Sequence, residues 1–465
     1  MSRIFLVSNR VAIPHDSSVH AGGLEVALRA FMQQHRCVWV GWSGEAVDNP
    51  EDVKISHVNG GGTDFVVTDL QRRDYEEYYN GFANRVLWPV LHYRIDLAEF
   101  SRQDLSGYLR VNERFADLLA GLLEPDDVVW VHDYHFIPLA EILRERGFSN
   151  LIGFFLHIPM PPPEMLAAMP GHRRVLKALS EYDLVGFQTN ADAANFARYV
   201  ASENGTSPHF GESAGGRRMR IGVFPVGIET REFQKMARDA MESETVRELK
   251  AGAPTLVTGV DRLDYSKGLD LKLEAYARFL DANPGWRGKV KFLQITPKSR
   301  STIAEYAAME RELDTVSGRI NSAHGDVLWT PIRYVTRPYP RDELAGFFRV
   351  SRVGVVTPLR DGMNLVAKEY VAAQDETDPG VLVLSEFAGA AAELTAALTV
   401  NPNDPEAVAT AISRALTMPL EERRNRHQSL WQALLRTDIA EWGDNFLSTL
   451  LSRREEPDIT RLVAQ

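Results

Sequence analysis

DVVWVHD (127–133), LIGFFLHI (151–158) and DLVGFQT (183–189) are apolar runs separated by helix-length intervals, and how they are read decides the fold. Each is apolar at successive residues rather than at alternate ones. A strand with one solvated face alternates, whereas a strand covered by helices on both faces does not. The same type recurs as RIFLVSNR (3–10), IGVFPVG (221–227), TLVTGV (255–260), KVKFLQI (289–295), VGVVTPL (353–359) and VLVLSEF (381–387). Helix-like stretches lie between them, among them LEVALRAFMQQH (24–35), VNERFADLLAGLL (111–123) and LKLEAYARFLDAN (271–283). Such alternation predicts parallel sheets with right-handed crossovers.

These strands exceed one comfortable sheet, and the chain has a seam. After PVGIE (225–229) comes a polar helical stretch, 230–250, and a fresh strand–turn–helix series starts at Thr255. The expectation is an α/β protein of two doubly wound domains, 1–229 and 230–439. Sheets of this kind bind ligands beyond the carboxyl ends of their strands, which places the expected site in a cleft between the domains. GESAGGRR (211–218) reads as a mobile surface loop and 454–465 as a loosely held tail.

The 465 residues are 44% hydrophobic and 25% charged, ordinary for a soluble globular chain of two or three domains. Lys and Arg total 52 against 63 Asp and Glu, a net charge of −11. That balance argues against a nucleic-acid or anionic-membrane binder, yet leaves room for an anionic small molecule held by a few local cations. Cys37 stands alone, so an intrachain disulfide and a cysteine zinc site are excluded. The N-terminal apolar run, Ile4–Val7, is too short for a signal peptide, and no segment approaches a membrane span. The expected location is the cytoplasm.

Chemistry is expected in the loops after the strands. SNR (8–10) is followed by AGGL (21–24), where Gly22 and Gly23 either admit a phosphate to a helix start or merely serve a turn. In VDRLDYSKGL (260–269), Arg262 and Lys267 suit a diphosphate clamp; the plainer reading has Asp261 and Asp264 neutralising both. In LRDGMNLVAKEYVAAQ (359–374), Asp361 and Gly362 precede a helix, and the amides of Met363 and Asn364 face phosphates. Glu369 lies about 12 Å along if all eight residues are helical, the scale of a sugar–diphosphate–ribose span. The plainer reading is a helix capped by Asp361, with Glu369 pairing Lys368 or simply facing water. His132 and His135 in WVHDYHF (130–136) have metal-ligand spacing but no evident third ligand, leaving Asp133 as a polar substrate contact. His157 ends a strand, where a neutral imidazole suits a sugar hydroxyl or simply fills the core. EEYYNGFANRVLWPVLHY (76–93) interleaves aromatic and polar residues, as carbohydrate sites and many cores do. Neither G-x-G-x-x-G nor a P-loop occurs.

Together these pieces resemble the trehalose-6-phosphate synthase family of retaining glycosyltransferases, from Ser2 to about Trp442. The matches, in order, include SNR, AGGL, WVGWSGE (39–45), EEYYNGFANRVLWPVLHYR (76–94), VHDYH, FFLHIP, PVGIE, RLDYSKGL, PLRDGMNLVAKEYVA and SEFAGAAAEL (385–394). The resemblance implies the GT-B architecture of two Rossmann-like domains, with a C-terminal helix, 440–453, crossing back to the first. It implies glucosyl transfer from UDP-glucose, a co-substrate, to glucose 6-phosphate, with no cofactor. Carried over, Arg262 and Lys267 hold the donor diphosphate, with Gly22 and Gly23 close by. Asp361, Gly362, Met363, Asn364, Leu365, Val366, Ala367 and Lys368 line the donor, Glu369 takes the ribose, and Tyr339 lines the uracil pocket. Arg10, Tyr79 and Arg300 match acceptor-phosphate positions, and Trp88 and Asp133 match sugar contacts. Trp88 and Ile158 fall near anomer-selecting positions, and His157 touches the donor glucose. Met160 departs from the family, which has an aromatic there.

No Asp-x-Asp occurs in the chain. No metal site is therefore expected beneath the diphosphate, and a separate phosphatase would consume the product. Relatives suggest a homo-oligomer, commonly a tetramer. Other readings are a sibling transferase using glycerol 3-phosphate or a cyclitol phosphate, a silent regulatory homologue, and a hydrolase. A silent homologue is expected to lose donor-clamp residues, which are all present here, and no glycosidase-like carboxylate pair stands out.

Overall fold

The structure, a computed structural model, describes residues 2–11, 13, 23–60, 62–204, 219–251, 255–297 and 304–452. The expectations for Gly22, Arg300, the 211–218 loop and the 454–465 tail lie outside the described residues. The chain forms two compact units: unit 1 is Met1–Pro225 with Ala440–Gln465, and unit 2 is Val226–Ile439.

Unit 1 is built on β1 (Ile4–Arg10), β2 (Cys37–Val47), β3 (Ile55–Gly60), β4 (Thr63–Gln71), β5 (Val128–His132), β6 (Leu151–Phe155), β7 (Leu184–Phe187) and β8 (Arg220–Val223). Their order is β3-β4-β2-β1-β5-β6-β7-β8. All neighbours are parallel except β3 and β4, which run antiparallel. That antiparallel edge departs from the all-parallel expectation. β3 escapes a search for apolar runs because ISHVNG is an exposed edge strand with no face that needs two-sided cover.

Unit 2 adds β9 (Thr255–Val260), β10 (Val290–Ile295), β11 (Ile332–Val335), β12 (Val353–Val356), β13 (Val381–Ser385) and β14 (Leu398–Val400), in the order β11-β10-β9-β12-β13-β14. Every pairing is parallel. Here the physical basis of the continuous apolar runs is visible. Val257, Val353, Val355, Val381 and Val383 enter one core, whereas Leu256, Val356, Leu382 and Leu384 enter the core on the opposite face. Successive side chains point to opposite faces, so two covered faces demand apolar residues at every position.

In unit 1 the helix Ile439–Leu451 lies against the sheet through Trp442 and Phe446, whose rings sit 5.0 and 4.5 Å from that of Trp130. Arg220 donates to the last carbonyls of this helix, Thr449 and Leu450, at 2.7 and 2.9 Å, where a cation also favours the helix dipole. In each sheet the order reverses once, between β1 and β5 and between β9 and β12. Such switch points open a crevice beyond the strand ends, because the connections leave in opposite directions.

Candidate active site

The loops after β9 and β12 flank the switch point of unit 2. Backbone bonds join them: the Leu359 amide donates to the Ser266 carbonyl at 2.7 Å. Gly268, at φ +56°, makes this approach possible, since a Cβ there would stand 2.9 Å from the Leu359 side chain. The buried Lys267 ammonium forms an ion pair with Asp361, while Arg262 is exposed. The acidic neighbours of the turn are engaged elsewhere. Asp261 pairs with buried Lys272 at 2.5 Å, and Asp264 accepts from the Ser266 amide at 2.9 Å. The plainer reading of the turn therefore fails for Lys267, because its counter-ion comes from the adjacent loop.

The helix begins at Leu365, not at Asp361, and its cap is Asn364, at φ +78°, whose side chain accepts from the Ala367 amide. Asn364 also donates to Asp361 at 3.0 Å. The capping bond leaves the amides of Leu365 and Val366 without intrahelical partners, pointing out of the helix start. Gly389 backs this loop so closely that a Cβ would stand 1.9 Å from the Gly362 carbonyl oxygen. Glu369 is the fifth helical residue, about 6 Å along the axis, half the separation expected from a helix starting at Asp361.

Glu369 does not pair with Lys368. Arg341 bridges the Glu369 and Glu229 carboxylates at 3.3 and 3.2 Å. Burial raises the Glu369 pKa above its ordinary value against the pull of Arg341. Lys368 is fully buried and turned away, donating to the Val226 carbonyl at 2.8 Å and pairing with Glu393 at 2.5 Å. Tyr339 lies edge-on to Phe347, with the Arg337 guanidinium 4.5 Å above its ring.

In unit 1, β1 ends at exposed Arg10, whose guanidinium lies over Gly44, at φ +99°; a Cβ there would stand 3.0 Å from Arg10 Nε. Arg10 is in register with Trp42, whose ring meets that of Tyr79 at 5.7 Å. Tyr79 also stacks on Tyr75 and His135. It belongs to Tyr75–Leu87, a wide π-helix ending in a bond from the Trp88 amide to the carbonyl five residues earlier, Ala83. Such geometry is rare beyond single turns and concentrates at functional sites. Tyr78, next along, donates to Asn9 at 2.8 Å, fixing this helix to the end of β1. Buried Trp88 packs on His92 and Tyr134.

Across the switch point, Asp133 follows β5 at φ +70°, ψ 168°, a region almost reserved for glycine and costing about 1–3 kcal/mol. It is held there by its amide donating to Phe155 and its carboxylate accepting from the His157 amide at 3.3 Å. His132 is fully buried, its Nδ1 lying 3.2 Å from Nε2 of half-buried His157. Burial pulls the His157 pKa down to about 3 and holds that of His132 well below the ordinary value. Both rings are neutral at pH 7. Ile158 is buried beside them, and Met160 is buried too, its amide donating to Asp192 at 2.8 Å.

The structure thus gathers Lys267, Asp361 and Asn364 in unit 2, and Asp133 with His157 in unit 1, where Arg10 and Tyr79 each adjoin Trp42. Among the described residues no three His, Cys, Asp or Glu side chains converge as metal ligands. Of the His132–His135 spacing, His132 faces His157, and His135 stacks on Tyr79 and lies tilted against Tyr134. Sequence reasoning did not single out Arg341, Trp42 or the Lys368–Glu393 pair. Trp42 lies within the quoted WVGWSGE, but the partners of Arg341 and Lys368 are 28 and 25 residues away and leave no local signal.

The glycosyltransferase family 20 model matches residues 8–452. A trehalose-6-phosphate synthase of Sinorhizobium fredii is 52% identical over 97% of this chain and 98% of its own. The crystal structure of an α,α-trehalose-phosphate synthase (UDP-forming) from Burkholderia vietnamiensis superposes with a TM-score of 0.93 at 47% identity, covering 97% and 98% of the two chains. Another from Burkholderia xenovorans, in complex with glucose 6-phosphate, gives 0.92 at 44%, covering 97% and 100%. With the strands from β2 to β14, both switch-point loops and the returning helix inside the matched span, the chain belongs to glycosyltransferase family 20.

Proposed function

We propose that the chain transfers glucose from UDP-glucose to glucose 6-phosphate with retention of configuration, giving α,α-trehalose 6-phosphate and UDP. The observation that carries the reading is the junction of the two unit 2 loops, where Lys267, Asp361 and the outward amides of Leu365 and Val366 share one helix start. A diphosphate suits that junction: Lys267 has three donors, so it holds Asp361 and still meets a phosphate oxygen.

Arg262 and Lys267 take the diphosphate, with Gly23 near it. Asp361 and the backbone from Gly362 to Ala367 meet the glucosyl unit and phosphates. Glu369 accepts from the ribose hydroxyls, and Tyr339 lines the base. Lys368 contributes through its backbone alone, since its ammonium is committed to Val226 and Glu393. In unit 1, Arg10, Tyr79 and Arg300 take the acceptor phosphate, Trp88 and Asp133 its sugar, and His157 the donor sugar. Trp88 and Ile158 shape the choice of anomer.

The bond from the glucosyl C1 to the β-phosphate oxygen breaks, and the anomeric hydroxyl oxygen of the acceptor bonds to C1 on the same face. Its proton passes to the departing phosphate. Charge growing on that phosphate is met by Arg262, Lys267 and the helix start, fixed before the reaction begins. These groups do the work a divalent ion does beneath other diphosphates. UDP-glucose is a co-substrate, and the reading includes no further cofactor, a cytoplasmic homo-oligomer and a separate phosphatase acting on the product; these parts rest on the sequence resemblance.

The test is UDP release from UDP-glucose with glucose 6-phosphate, glycerol 3-phosphate or water alone, before and after EDTA. Release with glucose 6-phosphate only, surviving EDTA, is expected. Release with water makes the chain a hydrolase, preference for glycerol 3-phosphate makes it a sibling transferase, and metal-restorable loss after EDTA overturns the role of the cations. A trapped glucosyl–carboxylate adduct overturns same-face attack.

A further inference from the structure

The contact between His132 and His157 has a direction. Both imidazoles are neutral and each carries one hydrogen, so the 3.2 Å contact between His132 Nδ1 and His157 Nε2 holds one of two arrangements. Either His132 donates and keeps a lone pair on Nε2, or His157 donates and His132 carries a hydrogen on Nε2.

The surroundings of His132 separate them. Its Nε2 is buried without a hydrogen-bond partner among the described residues. Its ring neighbours are Trp130 and Trp442, with centroids at 4.5 and 6.2 Å. The indole N–H groups of both are also buried without partners among the described residues. A hydrogen on Nε2 of His132 would add a third orphaned donor to a region that offers no acceptor. A lone pair there is the cheaper state, since buried N–H groups tolerate solitude least.

We infer that His132 is a positioning residue that sets the tautomer of His157: His132 Nδ1–H donates to His157 Nε2, the His157 hydrogen sits on Nδ1, and the ring presents an N–H donor to a sugar oxygen. The last clause rests on the proposed contact between His157 and the donor glucosyl unit. His157 Nδ1 has no partner among the described residues, so it is the nitrogen left for a ligand. A hydroxyl facing it must accept, which orients that hydroxyl's own hydrogen away from the ring. The tautomer thereby selects an orientation of the bound sugar that an Nε2-protonated His157 would reverse.

The full-length protein labelled with 15N-histidine reads the tautomer directly, through two-bond 1H–15N correlations of its 12 histidines, with His157→Gln used for assignment. His157 protonated on Nδ1 in the wild type is expected; protonation on Nε2 overturns the inference. His132→Asn keeps an amide N–H where Nδ1 stood and should retain the His157 tautomer and kcat/KM for UDP-glucose within about threefold. His132→Phe removes the donor and should release the tautomer and lower that kcat/KM about tenfold, with KM for glucose 6-phosphate unchanged. Equal losses in the Asn and Phe variants make His132 merely structural and overturn the positioning role. An Nδ1-protonated His157 whose signals do not move on saturation with UDP-glucose overturns the donor-sugar contact instead and leaves the tautomer standing.

Discussion

At the β9/β12 switch point the functional loops are held by opposite charges: Lys267 with Asp361, Lys368 with Glu393, Arg341 with Glu369 and Glu229. At the β1/β5 switch point the same task falls to aromatic rings, Tyr75, Tyr79 and His135 in one stack and His132 against His157 in another contact. The first arrangement leaves charge available to a phosphate-bearing ligand, because a paired lysine still has donors to give. The second fixes the direction of single hydrogen bonds, because a buried neutral imidazole has only one hydrogen and one lone pair. Charge pairs supply strength and rings supply orientation, and the two regions should fail differently when disturbed.

The largest effect should come from breaking the buried pair. Lys368→Ala leaves Glu393 buried and unpaired and should lower unfolding stability by about 3–5 kcal/mol in urea titrations. Adding Glu393→Leu should restore much of it; a single-variant loss below about 1 kcal/mol would remove the charged scaffold from the account. Next, Lys267→Ala should lower kcat about 10²–10³-fold while KM for glucose 6-phosphate stays near its wild-type value. A loss confined to that KM would move Lys267 to the other substrate.

The smallest effect should separate the two regions by pH. The folded-state pKa values of His132 and His157 lie below that of an unfolded histidine, about 6.5. As pH falls below that value the unfolded chain binds protons that the folded chain refuses, so stability is full above about 6.5 and declines beneath it. The slope is about 1.4 kcal/mol per pH unit for each such histidine and continues to about 3 for His157. His132→Phe should flatten the decline measured by thermal unfolding between pH 6.5 and 5; an unchanged slope would mean that the ring region does not titrate this way.

Much of the fold is legible in the chain. Eight of the nine apolar runs contain a whole strand, because burial on both faces writes itself into consecutive residues, and the ninth, IGVFPVG, overlaps β8, a mostly half-buried edge strand that begins one residue earlier. β2 and β4 are harder to read, as CVWVGWSGEAV breaks into Gly, Ser and Glu where it leaves the core, and β11 is only four residues long. The helix after β12 is legible as a helix but not in its start, because Asn364 in a left-handed conformation looks no different in sequence from Asp361 three residues before it.

Composition and periodicity alone determined two strand–helix series, the loops in which chemistry should lie, and the residues those loops carry. Which loops meet was decided only by the tertiary structure. Periodicity is a local property, whereas strand order is set by where each crossover returns, and nothing within β9 or β12 states that they are neighbours. That adjacency brings Lys267 to Asp361, 94 residues away, and the adjacency of β5 and β6 turns His132 from a metal-like spacing into the partner of His157. The chain therefore names its polar groups, and the order of the strands decides which of them face each other, because a hydrogen bond depends on distance in space and not on separation along the backbone.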